Sequence, residues 1–161
     1  MGTIEDIIQQ KKFTDDYHRA YVGVSYLFNV MDYIHQQLFK EYDITSQQYN
    51  ALRILRGQHP KPATVGLIKE RMIDRNSDAS RIVERLRKAG YVERVTCEND
   101  RRAVDVVITD KGLTLLKKLD PIINTISNPL RMLNEQEIAD LNQTLDIALA
   151  RWLEQEGQKT S

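Results

Sequence analysis

The sequence has almost no cysteine and no long apolar run. Cys97 is the single cysteine among 161 residues, which excludes an internal disulfide framework. The apolar runs are a few residues long, far short of the roughly 20 residues that a membrane-spanning helix needs. The first residues, with Glu5 and Asp6 and no sustained apolar block, lack the layout of a secretory signal. We therefore expect a cytoplasmic protein that does not enter a membrane.

The sequence also lacks the residue patterns of common catalytic and metal sites. It has no glycine-rich phosphate loop, no nucleophile with a plausible base, and no Cys and His set at metal-ligand spacing. His18 and His35 lie on one predicted helix, too far apart to share a metal ion. We therefore expect no enzymatic activity, no metal site and no cofactor.

Net charge is absent as well, because 23 Lys and Arg balance 23 Asp and Glu. The distribution is nevertheless uneven. Residues 53–102 hold 13 Lys and Arg against 7 Asp and Glu, whereas the remainder holds 10 against 16. A basic middle between acidic ends is the charge pattern expected of a DNA-facing module carried on a scaffold that faces elsewhere.

Helical periodicity dominates both ends of the chain. Residues 13–42 contain no proline and repeat apolar residues such as Tyr17, Tyr21 and Phe28 at helical spacing. A helix of that length reaches about 45 Å, more than one small domain needs for its own core. A second set of helical stripes follows residue 112. We predict a mainly α fold in one domain, 1–161, in which residues 10–43 and 113–156 form a helical dimerisation region.

The middle of the chain has the layout of a helix-turn-helix. A capping box at Thr45 and Gln48 opens one predicted helix, and a short helix follows at residues 64–72. Residues 76–90 then form an amphipathic helix, which Asn76 or Ser77 can cap at its start and Gly90 can end. Two short helices joined by a polar turn, the second with a polar outward face, are typical of DNA-binding proteins.

A β-hairpin is predicted directly after this helix. Residues 91–96 and 101–108 have strand composition, and residues 97–100 have turn chemistry. Arg101 and Arg102 stand beside the hairpin tip. In a winged helix such a hairpin lies along the duplex, where arginines enter the minor groove or contact phosphate. Residues 44–112 are therefore predicted to form a winged helix-turn-helix lobe.

Three segments together resemble the multiple-antibiotic-resistance regulator (MarR) family of bacterial winged-helix repressors. The resemblance covers residues 44–112, and it rests on the order and spacing of the segments. They are Ile44-Thr-Ser-Gln-Gln-Tyr49 with Ala51-Leu-Arg-Ile-Leu55, Ser80-Arg-Ile-Val-Glu-Arg-Leu-Arg-Lys-Ala-Gly-Tyr-Val-Glu-Arg94, and Asp100-Arg-Arg102 followed by Val107-Ile-Thr-Asp-Lys-Gly112. The resemblance implies an obligate homodimer that binds a pseudo-palindromic operator in double-stranded DNA.

The resemblance also implies roles for individual residues. Base edges would be contacted from the first half of the helix, phosphate from its middle, and the minor groove from the hairpin. The predicted DNA-binding residues are Asn76, Ser77, Asp78, Ser80, Arg81, Arg85, Arg101 and Arg102, and Asp100 would position the hairpin by pairing with an arginine. Arg81 suits bidentate contact with guanine. Asp78 and Glu84 are acids on a surface that meets a polyanion: Asp78 would accept from cytosine or supply helix-terminal charge, and Glu84 would lie beyond the contact zone.

Members of the family often respond to small aromatic ligands, so an effector of that class is implied here. Two further functional hypotheses remain beside that of a DNA-binding regulator. One branch senses oxidants through a cysteine in its first helix, but the cysteine of this chain, Cys97, stands at the hairpin turn, where Arg94 and Arg101 could lower the pKa of its thiol. The alternatives are a thiol-based redox sensor acting through Cys97, and a winged-helix module that binds a protein instead of specific DNA.

Overall fold

The computed structural model describes residues 2–96, 104–126 and 128–159. The chain divides into two compact units, residues 1–127 and residues 128–161. The first unit contains α1 (Ile4–Ile8), α2 (Asp16–Glu41), α3 (Ser46–Gln58), β1 (Ala63–Thr64), α4 (Val65–Arg71), α5 (Ala79–Lys88), β2 (Val92–Thr96), β3 (Val104–Ile108), α6 (Asp110–Pro121) and a π-helical turn (Ile122–Ile126). The second contains a 3-10 turn (Pro129–Met132) and α7 (Glu135–Lys159). The predicted mainly α fold with a small hairpin is confirmed.

The described strands form an antiparallel sheet in the order β1-β3-β2. In the hairpin, which we call the wing, Val92 pairs with Ile108 and Thr96 with Val104. The third strand was not predicted. It pairs Ala63 with Val106, and its two residues are too few to produce the alternation that marks a strand in sequence.

Helix boundaries follow capping chemistry. The Thr45 and Gln48 capping box opens α3 as predicted, and Asp15 caps α2, so that helix begins at Asp16 instead of residue 13. Helix α1 was not predicted; an ion pair between Glu5 and Arg19 (2.7 Å) joins it to α2. No helix among the described residues is long and apolar enough to cross a membrane.

The core of the first unit lies between α3, α4, α5, α6 and the sheet. Its fully buried side chains come from each of these elements, and α5 contributes Val83 and Leu86. Burying a side chain of this size stabilises a fold by roughly 1.5–3 kcal/mol. The inner face of α5 is therefore held by the core, which leaves its outer face for other contacts. The largest fully buried side chains are Leu52, Leu55, Ile68, Leu86, Leu116, Leu119, Val83 and Val106.

Much of the apolar surface of α2 is exposed within the single chain. Tyr17, Tyr21 and Phe28 are 87%, 71% and 59% exposed, whereas Phe39, near the end of the helix, is buried against the Tyr49 ring with 5.0 Å between centroids. A large apolar surface left open on one helix is typical of a protein interface.

A polar cluster joins α3 to the end of α6. The Tyr49 hydroxyl donates to Asp120 at 2.7 Å, and Arg56 forms an ion pair with the same carboxylate. Partial burial acts to raise the pKa of Asp120, but the hydrogen bonds from Arg56 and Tyr49 outweigh it and hold that pKa below its ordinary value. Burial and the carboxylate raise the pKa of Tyr49, so its hydroxyl stays protonated and donates.

The cluster predicts a pH-dependent contribution to stability. Because the folded pKa of Asp120 is depressed, its contribution is present above the unfolded value of about 3.9 and is lost as pH falls through the folded pKa. Urea unfolding should show Asp120→Asn less stable than the parent at pH 7, with a difference that shrinks below about pH 4. Tyr49→Phe removes one of the two hydrogen bonds to Asp120, so its stability at pH 7 should lie between that of the parent and that of Asp120→Asn. A difference that is constant from pH 7 to pH 3 would contradict this account.

Gly112 allows close contact between α6 and the segment that follows α5. Thr109 caps α6 by accepting from the Gly112 amide at 3.2 Å, and its hydroxyl donates to the Gly90 carbonyl at 2.8 Å. A Cβ placed on Gly112 would lie 2.5 Å from the Tyr91 carbonyl oxygen and 2.7 Å from Ile108 Cγ1. Backbone cannot yield to such a clash as a flexible side chain can.

Gly112→Ala should therefore lower the free energy of unfolding by roughly 1–3 kcal/mol, the usual cost of overpacking a core. Gly57→Ala is the matched control in α3, because a Cβ there meets nothing within 4 Å; it should be neutral or slightly stabilising, since alanine is the better helix former. Chemical denaturation of the two variants measures both effects. Equal stability of the two variants would show that the close approach at Gly112 is unimportant.

Candidate nucleic-acid interface

Asp78 begins helix α5. Its carboxylate accepts a hydrogen bond from the Arg81 amide at 3.0 Å, which satisfies one of the free donors of the first turn. The prediction that Asn76 or Ser77 caps this helix is wrong. The Asn76 amide and the Ser77 hydroxyl each donate to the Asp74 carboxylate at 3.0 Å. These two residues therefore belong to a turn organised by Asp74, and the next suitable side chain takes the capping position.

The C-terminal end of α5 has the geometry predicted for Gly90. Gly90 has φ of 76°, and the amides of Gly90 and Tyr91 donate to the Arg87 and Leu86 carbonyls, both at 2.9 Å. This is the hydrogen-bond pattern of a helix that ends in a left-handed glycine. Lys111 Nζ donates to the Ala89 carbonyl at 2.7 Å, which places a positive charge at the negative end of the helix.

The outer face of α5 carries Ser80, Arg81, Arg85 and Lys88, all exposed. Among these, Arg81 and Arg85 line one surface depression, which the first turn of α3 and the turn before α5 complete. Arg85 and Lys88 line a neighbouring depression beside the start of α3. The structure thus brings the predicted residues on α5 to one surface, and Asn76, Ser77 and Asp78 line its N-terminal border.

The acids that conflicted with a DNA-facing surface are both engaged inside the lobe. Asp78 is the cap described above. Glu84 accepts from Arg87 Nε at 3.1 Å and Nη2 at 2.9 Å, and Arg94 of β2 lies 3.4 Å away. The hydrogen bonds from Arg87 hold the pKa of Glu84 below its ordinary value, so the carboxylate is charged and paired. Two guanidinium groups, those of Arg87 and Arg94, thus face the one Glu84 carboxylate.

Two groups can be distinguished among the basic residues of the middle segment. Arg56, Arg87 and Arg94 are engaged by acids of the same lobe. A second group makes no ion pair within the described residues and surrounds α5: Lys69, Arg75, Arg81, Arg85 and Lys88. Lys69 and Arg75 were absent from the predicted site. The sequence shows their charge, but only packing shows that they lie beside α5.

Comparison with known proteins identifies the chain. A sequence model described as MarR family matches residues 42–103. The crystal structure of a MarR transcription factor from Planctomyces limnophilus is 31% identical, with a TM-score of 0.59, and the match covers 89% of this chain and 98% of that one. The chain belongs to the MarR family. The family predicted from the sequence is therefore confirmed.

Other relatives differ in how much of their length they share with this chain. The transcriptional regulator PecS from Dickeya dadantii is 27% identical over 52% of this chain and 51% of its own length, so the chain spans about half of that relative. TcaR from Staphylococcus aureus is 28% identical over 70% of this chain and 74% of its own length. The S. aureus MepR–DNA complex is 21% identical, covers 87% of this chain and 99% of that one, and has a TM-score of 0.71, which shows a shared fold.

The tip of the wing lies outside the described residues. Asp100, Arg101, Arg102 and Cys97 all fall there, so the roles that the MarR family implies for them stay predictions. The same holds for Arg101 as a neighbour of Cys97, whereas Arg94 pairs with Glu84. Among the described residues, no group of three or more His, Cys, Asp and Glu could hold a metal ion.

The capping role of Asp78 gives a prediction that separates folding from DNA contact. Asp78→Ala removes the cap and should lower the free energy of unfolding by about 1 kcal/mol. Asp78→Asn is the matched control, because asparagine keeps the acceptor that caps the helix and loses only the charge. Thermal unfolding of both variants measures the difference. If the two variants were equally destabilised, charge and not the hydrogen bond would be the important property of Asp78.

Proposed function

We propose that this MarR-family protein is a transcription regulator, acting as a repressor, that binds a specific pseudo-palindromic DNA site as a homodimer. The observation that carries the proposal is the outer face of α5. Arg81, Arg85 and Lys88 are exposed there without ion pairs among the described residues, on a helix whose inner face is fully buried. A helix of this kind fits the major groove, where arginine contacts guanine in a bidentate manner.

The homodimer is supported by the exposed apolar side chains of α2. Tyr17, Tyr21 and Phe28 are too exposed for a helix that belongs to a lone monomer, and a second copy of α2 offers a matching surface. Two lobes related by a two-fold axis present two copies of α5. These must lie about 34–36 Å apart to enter successive major grooves, so the proposed operator has two half-sites one helical turn apart.

Release by a small aromatic effector is the regulatory part of the proposal. It is supported by the contact between Phe39 of α2 and Tyr49 of α3, which connects the proposed dimer helix to the lobe. A ligand that moved α2 relative to α3 would change the separation of the two copies of α5. Because the grooves fix that separation, a small rigid-body change is enough to abolish binding.

A protein-binding module is the second candidate, and the structure weakens its main support. That support was the acidic character of Asp78 and Glu84, which a protein partner would tolerate better than DNA. Asp78 is used as a helix cap, and Glu84 forms an ion pair with Arg87. The surface that remains is basic, which favours a polyanion.

Selection of bound sequences from a random duplex pool tests the function directly. We expect two related half-sites with centres about one helical turn apart. On the selected duplex, Arg81→Ala should lose about 1–3 kcal/mol of binding free energy per half-site and relax specificity at one base pair in each half-site, measured by fluorescence anisotropy. Arg81→Lys is the control, because lysine keeps the positive charge but lacks the two parallel donors of the guanidinium group. Its sequence specificity should relax, whereas the salt dependence of its affinity should equal that of the parent.

Two results would count against the proposal. Failure to enrich any sequence, with duplex affinity that barely changes with salt, would favour the protein-binding module. Unchanged sequence preference in Arg81→Ala would leave DNA binding intact and remove Arg81 from base recognition.

A further inference from the structure

Lys69 and Arg75 lie beside the start of α5, on the side formed by α4. They line one surface depression together with Ser77, Ala79 and Ser80, residues that follow the turn or open the helix. Arg85 and Lys88 line a different depression, which the residues before and at the start of α3 complete. Exposed basic side chains therefore occupy both flanks of α5.

The charges of Lys69 and Arg75 are available to an external anion. Neither side chain makes an ion pair or hydrogen bond within the part of the chain that the structure describes. Asp78, which lines the same depression, caps α5, and the Asp74 carboxylate accepts from Asn76 and Ser77. Neither acid forms an ion pair with Lys69 or Arg75 among the described residues.

The geometry of α4 separates Lys69 from its near neighbour Arg71. Lys69 follows Val65 and Gly66 by one turn and shares their side of the helix, which faces the depression beside α5. Arg71 is two residues further, about 200° around the helix axis. It lines a different surface, together with Asn50 and Arg53 of α3 and the exposed Ile73.

The width of the major groove explains how basic residues on both flanks of α5 can contact DNA. The major groove is about 12 Å wide, close to the 10–12 Å diameter of a helix with its side chains. A helix inserted in the groove consequently has one phosphate backbone along each flank. Cations on both flanks can reach both backbones at once.

We propose that Lys69 and Arg75 contact the phosphates of one strand while Arg85 and Lys88 contact those of the opposite strand, so that each lobe binds both walls of the major groove. The inference rests on the proposed DNA-binding function and adds two positioning residues to it. Lys69 and Arg75 contribute affinity without sequence preference. Arg71, which faces the other surface, makes no contact with phosphate and contributes no affinity.

Salt dependence is the measurement that isolates a phosphate contact. Each neutralised phosphate releases condensed counterions, so the slope of log K against log salt concentration changes by about 0.9 per contact. The full-length protein should be titrated with the selected duplex and with a scrambled duplex between roughly 50 and 200 mM salt, the range over which such contacts are resolved.

Because the homodimer carries each substitution in both lobes, Lys69→Ala and Arg75→Ala should each make the slope shallower by about 2, and the double variant by about 4. The loss of affinity should be equal on the two duplexes. Lys69→Arg should restore the parental slope because it restores the charge. Arg71→Ala, from the same helix, should match the parent. Thermal unfolding of each variant must match the parent, and Lys69→Gln replaces Lys69→Ala if the latter is destabilised.

Each contrary outcome has a separate meaning. If the parent protein binds the selected duplex and Arg81→Ala relaxes its specificity, but Lys69→Ala and Arg75→Ala keep the parental slope, the inference fails and the proposed function stands. An Arg71→Ala effect as large as that of Lys69→Ala also overturns the inference, because it would reveal only a general effect of net charge. A parent protein that binds neither duplex overturns the proposed function and the inference together.

Discussion

The surface proposed to meet DNA depends on keeping a ten-residue helix folded. An isolated helix shorter than about 12–15 residues is marginal in water, and α5 spans Ala79–Lys88. It is held at three places: the Asp78 carboxylate at its N-terminal end, the buried side chains of Val83 and Leu86, and Gly90 with the hydrogen bonds that surround it at its C-terminal end. Each of these groups faces inward or along the axis, so stability and recognition use different atoms of the same helix.

The C-terminal end of α5 is bound by the first residues of α6, which follow the wing in the chain. Thr109 donates its hydroxyl proton to the Gly90 carbonyl, and Lys111 donates to the Ala89 carbonyl. Both residues begin α6, directly after the wing strand β3. The strand therefore returns the chain to the place where α5 ends, and the first turn of α6 satisfies carbonyls that the helix leaves free. Gly112 permits this approach because it has no side chain.

Much of this lobe could be predicted from local sequence patterns, and the failures have physical causes. The Thr45 and Gln48 capping box and Gly90 are local signals, and the structure confirms both. The cap of α5 was misplaced because neighbouring residues compete for it, and hydrogen bonds of Asp74 decide the competition. Arg94, the second partner of Glu84 after Arg87, was missed because it approaches from the sheet, across a turn of the chain. The positions of Lys69 and Arg75 beside α5 are likewise a property of packing, which no periodicity records.

The same packing connects the recognition surface to the rest of the first unit. Tyr49 of α3 is buried, its ring contacts that of Phe39 of α2, and its hydroxyl donates to Asp120 of α6. One side chain thus joins α3 to both helices that lead away from the lobe. The first turn of α3 lines the depression that contains Arg81, less than one helical turn before Tyr49. Because close-packed interiors transmit displacement instead of absorbing it, a shift of α2 or α6 must either break the Tyr49 contacts or move α3 and, with it, the surroundings of Arg81.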